Sequence, residues 1–367
     1  MTDVAIVLGT RPEIIKLAPV IRACERHGVD YAVIHTGQHY SESLDSVFFD
    51  KLELPEPKHS LGVGSAPHGR QTGEMLIGLE ETLEAISPEI VLVQGDTNSV
   101  LAGAIAASKM EAKLGHVEAG LRSFDRSMPE ETNRVVADHV SDVLFPPTNQ
   151  SKKYLLREGI SELRITVTGN TVVDAVHRHR DLARKNSTVL SDLGIERDEF
   201  MLMTAHRQEN VDDEDRFRRL LSGVARAGAE HDLDVVYPVH PRSQDRLEAF
   251  GIELPDRIRG VKSQDYLDFL RLEAAAKLIL TDSGGVQEEA CILGVPCVTM
   301  RDSTERPETI DVGANRLSSC DPDRIARSVT EMIGKSGNWE NPFGDGNAAE
   351  RILAELPVES PIDEVAQ

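Results

Sequence analysis

The sequence predicts an α/β protein made of two Rossmann-like, doubly wound domains that face a cleft. Short apolar runs rich in β-branched residues alternate with amphipathic segments along nearly the whole chain, a pattern typical of parallel sheets covered by helices. Ten such runs are too many for one doubly wound sheet of ordinary size, and 367 residues suit two domains. Aromatic residues make up only 4% of the chain, so the cores must be aliphatic.

The predicted strands recur through both halves of the chain. Those of the first half are residues 4–8, 31–35, 90–93, 114–117, 143–145 and 164–167, and those of the second half are residues 200–203, 235–239, 277–281 and 296–300. Helices are predicted in the intervals. The segment 12–27, for example, has an apolar stripe between Pro12 at its start and Gly28 just past its end. The segment 212–230 begins with four acidic residues, which the helix dipole favours.

The turn-forming residues Gly169 and Asn170 mark the predicted domain boundary. Residues 1–168 are the first domain, with the candidate acid/base residues, and residues 169–340 are the second. Residues 341–367 begin with Asn-Pro-Phe-Gly-Asp, which predicts a crossover loop, and continue into a helix near residues 347–356. We expect this last helix to return to the first domain.

Composition excludes several classes of partner. The formal net charge is −22, from 62 acidic against 40 basic residues, so the protein would repel a nucleic-acid backbone. No apolar run reaches the ~18 residues of a membrane span, and residues 1–9 predict a strand rather than a signal peptide. We therefore expect a cytoplasmic protein without membrane insertion. Its four scattered cysteines predict buried, reduced thiols.

Several familiar motifs of cofactor, metal and nucleophile chemistry do not occur in the sequence. There is no Gly-x-Gly-x-x-Gly, no Gly-x-x-x-x-Gly-Lys-Ser/Thr, no His-Glu-x-x-His and no Gly-x-Ser-x-Gly. The pairs His177/His179 and His206/His240 lack a carboxylate at metal-ligand spacing. We expect neither a bound metal ion nor a cofactor.

Charged residues follow the predicted strands, and ligands of parallel sheets bind beyond the carboxyl ends of the strands. Asp96 and Glu118 directly follow strands, while Glu130 begins a helix, where stabilisation of the helix dipole would explain it equally well. We expect these acids to transfer protons in a polar cleft between the domains, in which basic residues bind an anion. The candidate basic residues are Arg11, Lys16, His206, Arg207 and Arg306.

The most informative motif is Asp-Ser-Gly-Gly-Val-Gln-Glu-Glu at residues 282–289. Ser283, Gly284 and Gly285 lie where a strand meets a helix, so backbone N–H groups and the helix dipole can bind an anion there. Glu289, one turn further along, is within reach of ribose hydroxyls. A tight turn before a solvated helix would produce the same pattern.

These residues resemble those of the non-hydrolysing UDP-N-acetylglucosamine 2-epimerases, and the resemblance extends in order over nearly the whole chain. It includes Gly-Thr-Arg-Pro-Glu at residues 9–13 and the segments 95–97, 116–122, 129–134, 168–171, 205–207, 238–240, 281–289, 304–308 and 341–346. It implies two domains of the glycosyltransferase-B type, usually assembled as a homodimer, with the nucleotide held mainly by the second domain.

The resemblance also implies roles for individual residues. Those implied to bind UDP are Ser283, Gly284, Gly285 and Arg306 at the phosphates, Glu289 at the ribose, and Gln264 and Phe269 at the uracil. Those implied to line the sugar and diphosphate site are Arg11, Lys16, Asp96, Glu118, Glu130 and His206.

The implied reaction is reversible inversion of C2, which converts UDP-N-acetylglucosamine to UDP-N-acetylmannosamine through 2-acetamidoglucal. Two enzymatic alternatives stay open: the same epimerisation of another UDP-sugar, such as a 2,3-diacetamido uronic acid, and sugar transfer by a glycosyltransferase of the same fold. Hydrolysing 2-epimerases resemble Gly-Thr-Arg-Ala-Asp where this chain has Gly-Thr-Arg-Pro-Glu. A UDP-sugar-binding protein without catalysis would not need the three acids.

One segment departs from the family pattern. Many bacterial members bind a second UDP-N-acetylglucosamine as an allosteric activator, partly through Gln-His-x-x-Gln after the second strand. Here residues 38–42 are Gln-His-Tyr-Ser-Glu, which lacks the second Gln. The candidate allosteric or secondary residues that this chain retains are Gln38, Arg207 and His240.

Overall fold

The computed structural model of the chain describes residues 2–38, 42–126 and 128–357, with the backbone alone for residues 42–46. The chain divides into two compact units. Unit 1 comprises the described parts of Met1–Ala175 and Phe343–Gln367, and unit 2 is Val176–Pro342. Of the helices in the described residues, none is long and apolar enough to cross a membrane.

Unit 1 is a parallel sheet covered by helices. Its strands are β1 (Val4–Leu8), β2 (Tyr31–His35), β3 (His59–Ser60), β4 (Ile90–Gln94), β5 (Lys113–Val117) and β6 (Val143–Phe145). Its helices before the boundary are α1 (Arg11–His27), α2 (Glu42–Lys51), α3 (His68–Ile86), α4 (Asn98–Ala107), α5 (Pro129–Val140) and α6 (Asn149–Arg157). The boundary with unit 2 falls within α7 (Thr171–Asn186).

Unit 2 repeats the same plan. Its strands are β7 (Phe200–Met203), β8 (Asp234–Pro238), β9 (Ile258–Val261), β10 (Leu278–Thr281), β11 (Cys297–Thr299) and β12 (Asn315–Leu317). Its helices after α7 are α8 (Val189–Leu193), α9 (Gln208–Val211), α10 (Glu214–His231), α11 (Pro241–Ala249), α12 (Tyr266–Ala275), α13 (Gly284–Leu293), α14 (Pro307–Asp311) and α15 (Pro322–Met332).

Both sheets wind outwards from a central pair of strands. Among the described residues the order is β3-β2-β1-β4-β5-β6 in unit 1 and β12-β11-β10-β7-β8-β9 in unit 2. Neighbouring strands are parallel; Val4, for example, lies opposite Tyr31 of β2 and Ile90 of β4. The winding direction reverses between β1 and β4 and between β7 and β10, and such switch points are where doubly wound sheets bind ligands. The prediction of two Rossmann-like, doubly wound units is confirmed.

The strand predictions fail where the apolar signal is weak. The predicted strand at residues 164–167 is wrong: Glu162–Arg164 forms a 3₁₀ turn, and Ile165 makes a single isolated bridge to Leu144. Strands β3, β9 and β12 were not predicted. Each lies at the edge of its sheet and is short or interrupted by polar residues, so it lacks the continuous apolar run of a central strand.

The cores are aliphatic, as predicted. Every residue of β1 is buried, and so are the residues of β4 and β7. All four cysteines lie in the described part of the chain, and each is a buried free thiol. The prediction of buried, reduced thiols is therefore confirmed.

The chain after Phe343 belongs to unit 1. Asn170 N donates to Phe343 O at 2.8 Å, and Asp174 accepts from Ala349 N at 3.0 Å at the start of the last helix, α16 (Ala348–Ala354). Glu350 of α16 then pairs with His27 at the end of α1, at 2.8 Å. Short polar contacts therefore attach this terminal segment to α1 and to the start of α7.

A buried network fixes the loop that follows β5. His116 lies between two acceptors, with Nδ1 2.7 Å from Asp138 Oδ1 and Nε2 2.8 Å from Gly95 O, which suits a doubly protonated imidazolium. Burial opposes this charge, but Asp138 raises the pKa of His116 above its ordinary value. The other oxygen of Asp138 pairs with Arg122 at 2.7 Å and accepts from Gly120 N at 3.2 Å.

Gly120 and Gly159 provide a matched pair for testing this loop. Both have left-handed φ angles, +77° and +85°, but a Cβ on Gly120 would lie 2.6 Å from Ser151 O, whereas a Cβ on Gly159 meets nothing within 4 Å. Gly159→Ala should lower the free energy of unfolding by about 1–2 kcal/mol through backbone strain alone. Gly120→Ala should lower it by about 3 kcal/mol or more, because the clash is added. Urea unfolding measures both changes, and equal losses would contradict the packing described for this loop.

Candidate functional site

Glu118 follows β5 and is held by two donors from neighbouring elements. Its side chain is only 4% exposed, and Lys16 Nζ of α1 donates to its two oxygens at 2.8 and 2.6 Å. Gln94, at the end of β4, also donates to Glu118 Oε2. The backbone of Glu118 has φ 66°, an unfavourable left-handed conformation of the kind that clusters at functional sites. Packing thus holds this carboxylate in one position at the carboxyl edge of the sheet.

Asp96 and Glu130 lie at the same carboxyl edge. Asp96 follows β4, where its carboxylate pairs with Arg134 and its carbonyl oxygen accepts from Asn133 Nδ2 at 2.9 Å. Glu130 lies in the first turn of α5, where the helix dipole stabilises its charge. Both acids line a cavity of about 260 Å³. The described structure therefore brings Asp96 and Glu130 together around one space, while Lys16 and Glu118 are not part of its wall.

Glu13 is a buried acid that sequence reasoning did not select. It is 2% exposed, and its carboxylate accepts from Gly9 N at 3.0 Å, Thr10 Oγ1 at 2.7 Å and Thr97 Oγ1 at 2.7 Å. It thereby joins the loop after β1 to the loop that carries Asp96. Burial raises the pKa of Glu13 to about 7, against the opposing effect of these hydrogen bonds.

Two other predicted residues of unit 1 lie close to this edge. Arg11 is exposed at the start of α1, with its guanidinium carbon 5.9 Å from the centre of the Phe48 ring. Gln38 is buried in the cavity wall, where Oε1 accepts from Ser99 N and from Ser99 Oγ, each at 2.9 Å. The rest of the departing segment, residues 39–41, lies outside the described residues.

His206 is oriented by a buried aspartate in unit 2. Its Nδ1 lies 3.1 Å from Oδ1 of Asp282, which is fully buried at the end of β10. Oδ2 of Asp282 accepts from the backbone N–H groups of His206 and Arg207 at 2.9 and 3.0 Å. Burial opposes the negative charge, but the His206 contact and these N–H groups lower the pKa of Asp282 below its ordinary value. The aspartate therefore stays ionised, with its Oδ1 beside Nδ1 of His206.

The start of α13 is open, as an anion site requires. Ser283 is the residue that precedes the helix, and Gly284 and Gly285 form its first turn. A Cβ on Gly284 would meet only Glu305 Oε2, at 3.8 Å, and one on Gly285 only Ser283 Oγ, at 4.0 Å. Packing therefore does not require these glycines. Their missing side chains leave the backbone N–H groups accessible to a ligand.

Three arginines lie in or beside the loop that follows β11, and each pairs with an acid. Arg306 Nε contacts Glu288 Oε1 at 2.6 Å, and Arg207 Nη1 lies 3.6 Å from Glu305 Oε1. Arg301, which sequence reasoning did not select, donates to both oxygens of Glu305 at 2.7 and 2.8 Å, and this lowers the pKa of Glu305 to about 2. The arginine positions are thus fixed by the fold before any ligand binds.

The remaining predicted residues are distributed along unit 2. Gln264 precedes α12 and donates to Lys262 O at 2.6 Å, and Phe269 packs partly buried against the core from α12 itself. Glu289 lies half-buried on α13, which packs against α12. The His240 ring is 5.3 Å from that of His206; burial, and then the charge of His206, lower the pKa of His240.

Within residues 2–38, 42–126 and 128–357, no group of three or more His, Cys, Asp or Glu side chains is arranged to hold a metal ion.

The sequence and the fold are similar to those of known proteins. The family model described as UDP-N-acetylglucosamine 2-epimerase matches residues 22–357. The chain is 50% identical over 355 residues to the UDP-N-acetylglucosamine 2-epimerase of Methanocaldococcus jannaschii, covering 95% of this chain and 97% of that protein. It is 38% identical over 358 residues to the UDP-2,3-diacetamido-2,3-dideoxy-D-glucuronate 2-epimerase of Pseudomonas aeruginosa, covering 95% and 98%.

A solved structure extends this similarity to three dimensions. The crystal structure of M. jannaschii UDP-GlcNAc 2-epimerase in complex with UDP-GlcNAc and UDP matches with a TM-score of 0.86 and 50% identity. The match covers 97% of this chain and 99% of that one.

The raised pKa of Glu13 predicts a specific pH dependence of stability. An acid whose pKa is higher in the folded state, here about 7 against 4.5, contributes its full stability below pH 4.5 and loses it as the pH rises through 7. The free energy of unfolding of the wild type, minus that of Glu13→Gln, should therefore fall by about 2–3 kcal/mol between pH 4.5 and 8.

Denaturant unfolding of both proteins across this range measures the difference. A hydrogen bond lost on substitution shifts the whole difference curve without changing its slope. A difference that does not vary with pH would mean that Glu13 ionises as easily in the folded chain as in the unfolded one.

Proposed function

Because the chain belongs to the UDP-N-acetylglucosamine 2-epimerase family, we propose that it inverts C2 of the sugar by removing UDP from C1 and adding it back. The reaction is the interconversion of UDP-N-acetylglucosamine and UDP-N-acetylmannosamine, which makes the protein an isomerase. The family match over residues 22–357 and the 50% identity to the M. jannaschii enzyme support this activity. The observation in the molecule that carries the mechanism is the group of three acids at the carboxyl edge of unit 1.

Elimination of UDP explains how a C2 proton of low acidity can be removed. The C2 proton of an N-acetylhexosamine is not acidic, because no carbonyl group is conjugated to C2. As the C1–O bond breaks, its electron pair leaves with UDP, and the positive character at C1 acidifies the C2 proton. A base takes that proton, and the C2–H electron pair forms the double bond of 2-acetamidoglucal. A proton then reaches the other face of C2, and a phosphate oxygen of UDP attacks C1.

We assign the two proton transfers to members of the set Asp96, Glu118 and Glu130. One must act as a base on one face of C2 and another as an acid on the opposite face. The cavity lined by Asp96 and Glu130 supports this assignment, as does the fixed position of Glu118. A carboxylate held by packing needs no reorganisation when the reaction begins.

We assign the departing UDP to unit 2. The open start of α13 at Ser283, Gly284 and Gly285 supports phosphate binding there. We assign His206 and Arg306 to the phosphates, and Arg11 and Lys16 to the positive charge that the leaving group requires. Glu289 is assigned to the ribose, and Gln264 and Phe269 to the uracil.

Two further expectations belong to the proposal. The enzyme is a homodimer, as the family resemblance implies. The P. aeruginosa relative is a 2-epimerase of UDP-2,3-diacetamido-2,3-dideoxy-D-glucuronate. The higher identity to the M. jannaschii enzyme, 50% against 38%, favours UDP-N-acetylglucosamine as the substrate of this chain.

Isotope labelling tests the mechanism directly. In D₂O, UDP-N-acetylglucosamine should yield UDP-N-acetylmannosamine with deuterium at C2, because the proton removed by the base exchanges with solvent. An ¹⁸O label bridging C1 and phosphorus should scramble into non-bridging positions, because the freed phosphate rotates before it attacks C1. Proton NMR and ³¹P NMR follow the two labels, and free UDP should remain a trace product.

Each rival reaction gives a different result. A hydrolysing enzyme would accumulate UDP and N-acetylmannosamine in equal amounts, and a glycosyltransferase would leave C2 of the donor unlabelled. The UDP derivative of a 2,3-diacetamido uronic acid could have a kcat/KM about tenfold higher than that of UDP-N-acetylglucosamine (about 1.4 kcal/mol of transition-state stabilisation). That result would change the substrate proposed here but not the mechanism. Epimerised product without deuterium and without scrambling would overturn elimination.

A further inference from the structure

Glu273 is an acid buried where no charge partner compensates it. It lies in the last turn of α12 with 0% of its surface exposed. No N–H or O–H group of the described residues donates a hydrogen bond to either of its carboxyl oxygens. Because a buried carboxylate without donors is strongly destabilising, this group must keep its proton in the folded protein.

The carboxyl group within hydrogen-bonding reach of Glu273 is that of Glu289 on α13. Two carboxylates cannot hydrogen-bond to each other, since neither has a donor, so one member of the pair must carry a proton. Burial, and then the charge and hydrogen bond of Glu289, raise the pKa of Glu273 well above its ordinary value. Glu289 is only half-buried, so the proton belongs on Glu273 and the negative charge on Glu289.

Two other titratable groups near this pair, Tyr266 and Cys297, also have raised pKa values. Tyr266 lies two turns before Glu273 on the same face of α12, and burial, followed by Glu289 and Glu273, raises its pKa well above the ordinary value. Its hydroxyl is 3.3 Å from Nδ1 of the buried His179, and the two rings meet edge to face at 5.5 Å. Burial likewise raises the pKa of the Cys297 thiol on β11.

We propose that Glu273 is a positioning residue: as a neutral carboxylic acid it donates its proton to Glu289 and fixes that carboxylate toward the ribose of UDP. The inference rests on the proposed function, which assigns ribose binding to Glu289. The 2′- and 3′-hydroxyls of ribose can donate hydrogen bonds, and they donate more strongly to an ionised acceptor than to a neutral one. A proton held on the buried side of the pair supplies that acceptor and restricts the Glu289 side chain before UDP arrives, so less conformational freedom is lost on binding.

Binding of UDP and of 2′,3′-dideoxy-UDP separates this role from a structural one. Calorimetric titrations measure the affinities for both nucleotides. The wild type and Glu273→Gln, whose amide still donates, should each bind UDP about 30-fold or more tightly than 2′,3′-dideoxy-UDP. In Glu273→Leu, which has no donor, the preference should shrink by about tenfold while the affinity for 2′,3′-dideoxy-UDP changes less than about twofold. In turnover, KM for UDP-N-acetylglucosamine should rise by about tenfold in Glu273→Leu with kcat nearly unchanged.

Two controls accompany these variants. The melting temperature of Glu273→Leu is compared with that of the wild type, because only a variant that folds like the wild type reports on UDP binding. Glu273→Met, which is unbranched and of similar length, takes its place if the Leu variant does not fold. Arg271→Leu changes a charge on the same helix that faces Arg184 and Arg197, and it should leave the preference for UDP intact.

The outcomes distinguish the inference from the function on which it rests. If the wild type binds UDP and 2′,3′-dideoxy-UDP equally well, the assignment of the ribose to Glu289 fails. If the wild type discriminates and Glu273→Leu or Glu273→Met discriminates equally, Glu273 has no positioning role and the proposed function is untouched. Loss of discrimination in Glu273→Gln as well would also overturn the inference, because the amide retains a donor.

Discussion

A buried carboxyl group must receive hydrogen bonds or a cation, or else keep its proton, and this constraint applies to acids in both units. Glu118 meets it with Lys16 and Gln94. Asp282 meets it with His206 and two backbone N–H groups. Glu13 accepts three donors and still ionises only near pH 7, while Glu273 retains a proton that a second carboxyl group accepts.

The partners of these buried acids differ between the two units, and so do the roles proposed for the units. In unit 1 the paired acids and their donors come from neighbouring strands, helices and loops, so their pairing fixes the edge of the sheet where proton transfer is proposed. In unit 2 the aspartate orients a histidine beside an open helix start, which suits binding of an anionic leaving group. The proposed division of labour, with acids on one unit and the nucleotide on the other, follows from which strand ends carry which partners.

The sequence predicted central strands and strand-end residues well because both depend on local pattern. Strands such as residues 4–8 are continuous apolar runs, and Asp96 and Glu118 directly follow such runs. The edge strands β9 and β12 were not predicted, because polar residues interrupt the apolar run in each of them. Glu13 and Glu273 could not be recognised as buried from helical periodicity, since their burial is created by packing against distant segments. For Glu273 that segment is α13, and no spacing rule connects the two helices.

The central claim, that unit 1 moves the proton and unit 2 holds UDP, is tested most directly by Glu118→Gln and Glu130→Gln. We expect each variant to exchange deuterium into C2 of UDP-N-acetylglucosamine at least about 10²-fold more slowly than the wild type, because a proton-transfer group is lost. UDP affinity, measured by calorimetry, should change less than about twofold, and Glu84→Gln, an exposed glutamate of α3, should behave as wild type in both assays. Deuterium exchange at the wild-type rate in both variants, or a tenfold loss of UDP affinity (about 1.4 kcal/mol), would contradict this division of labour.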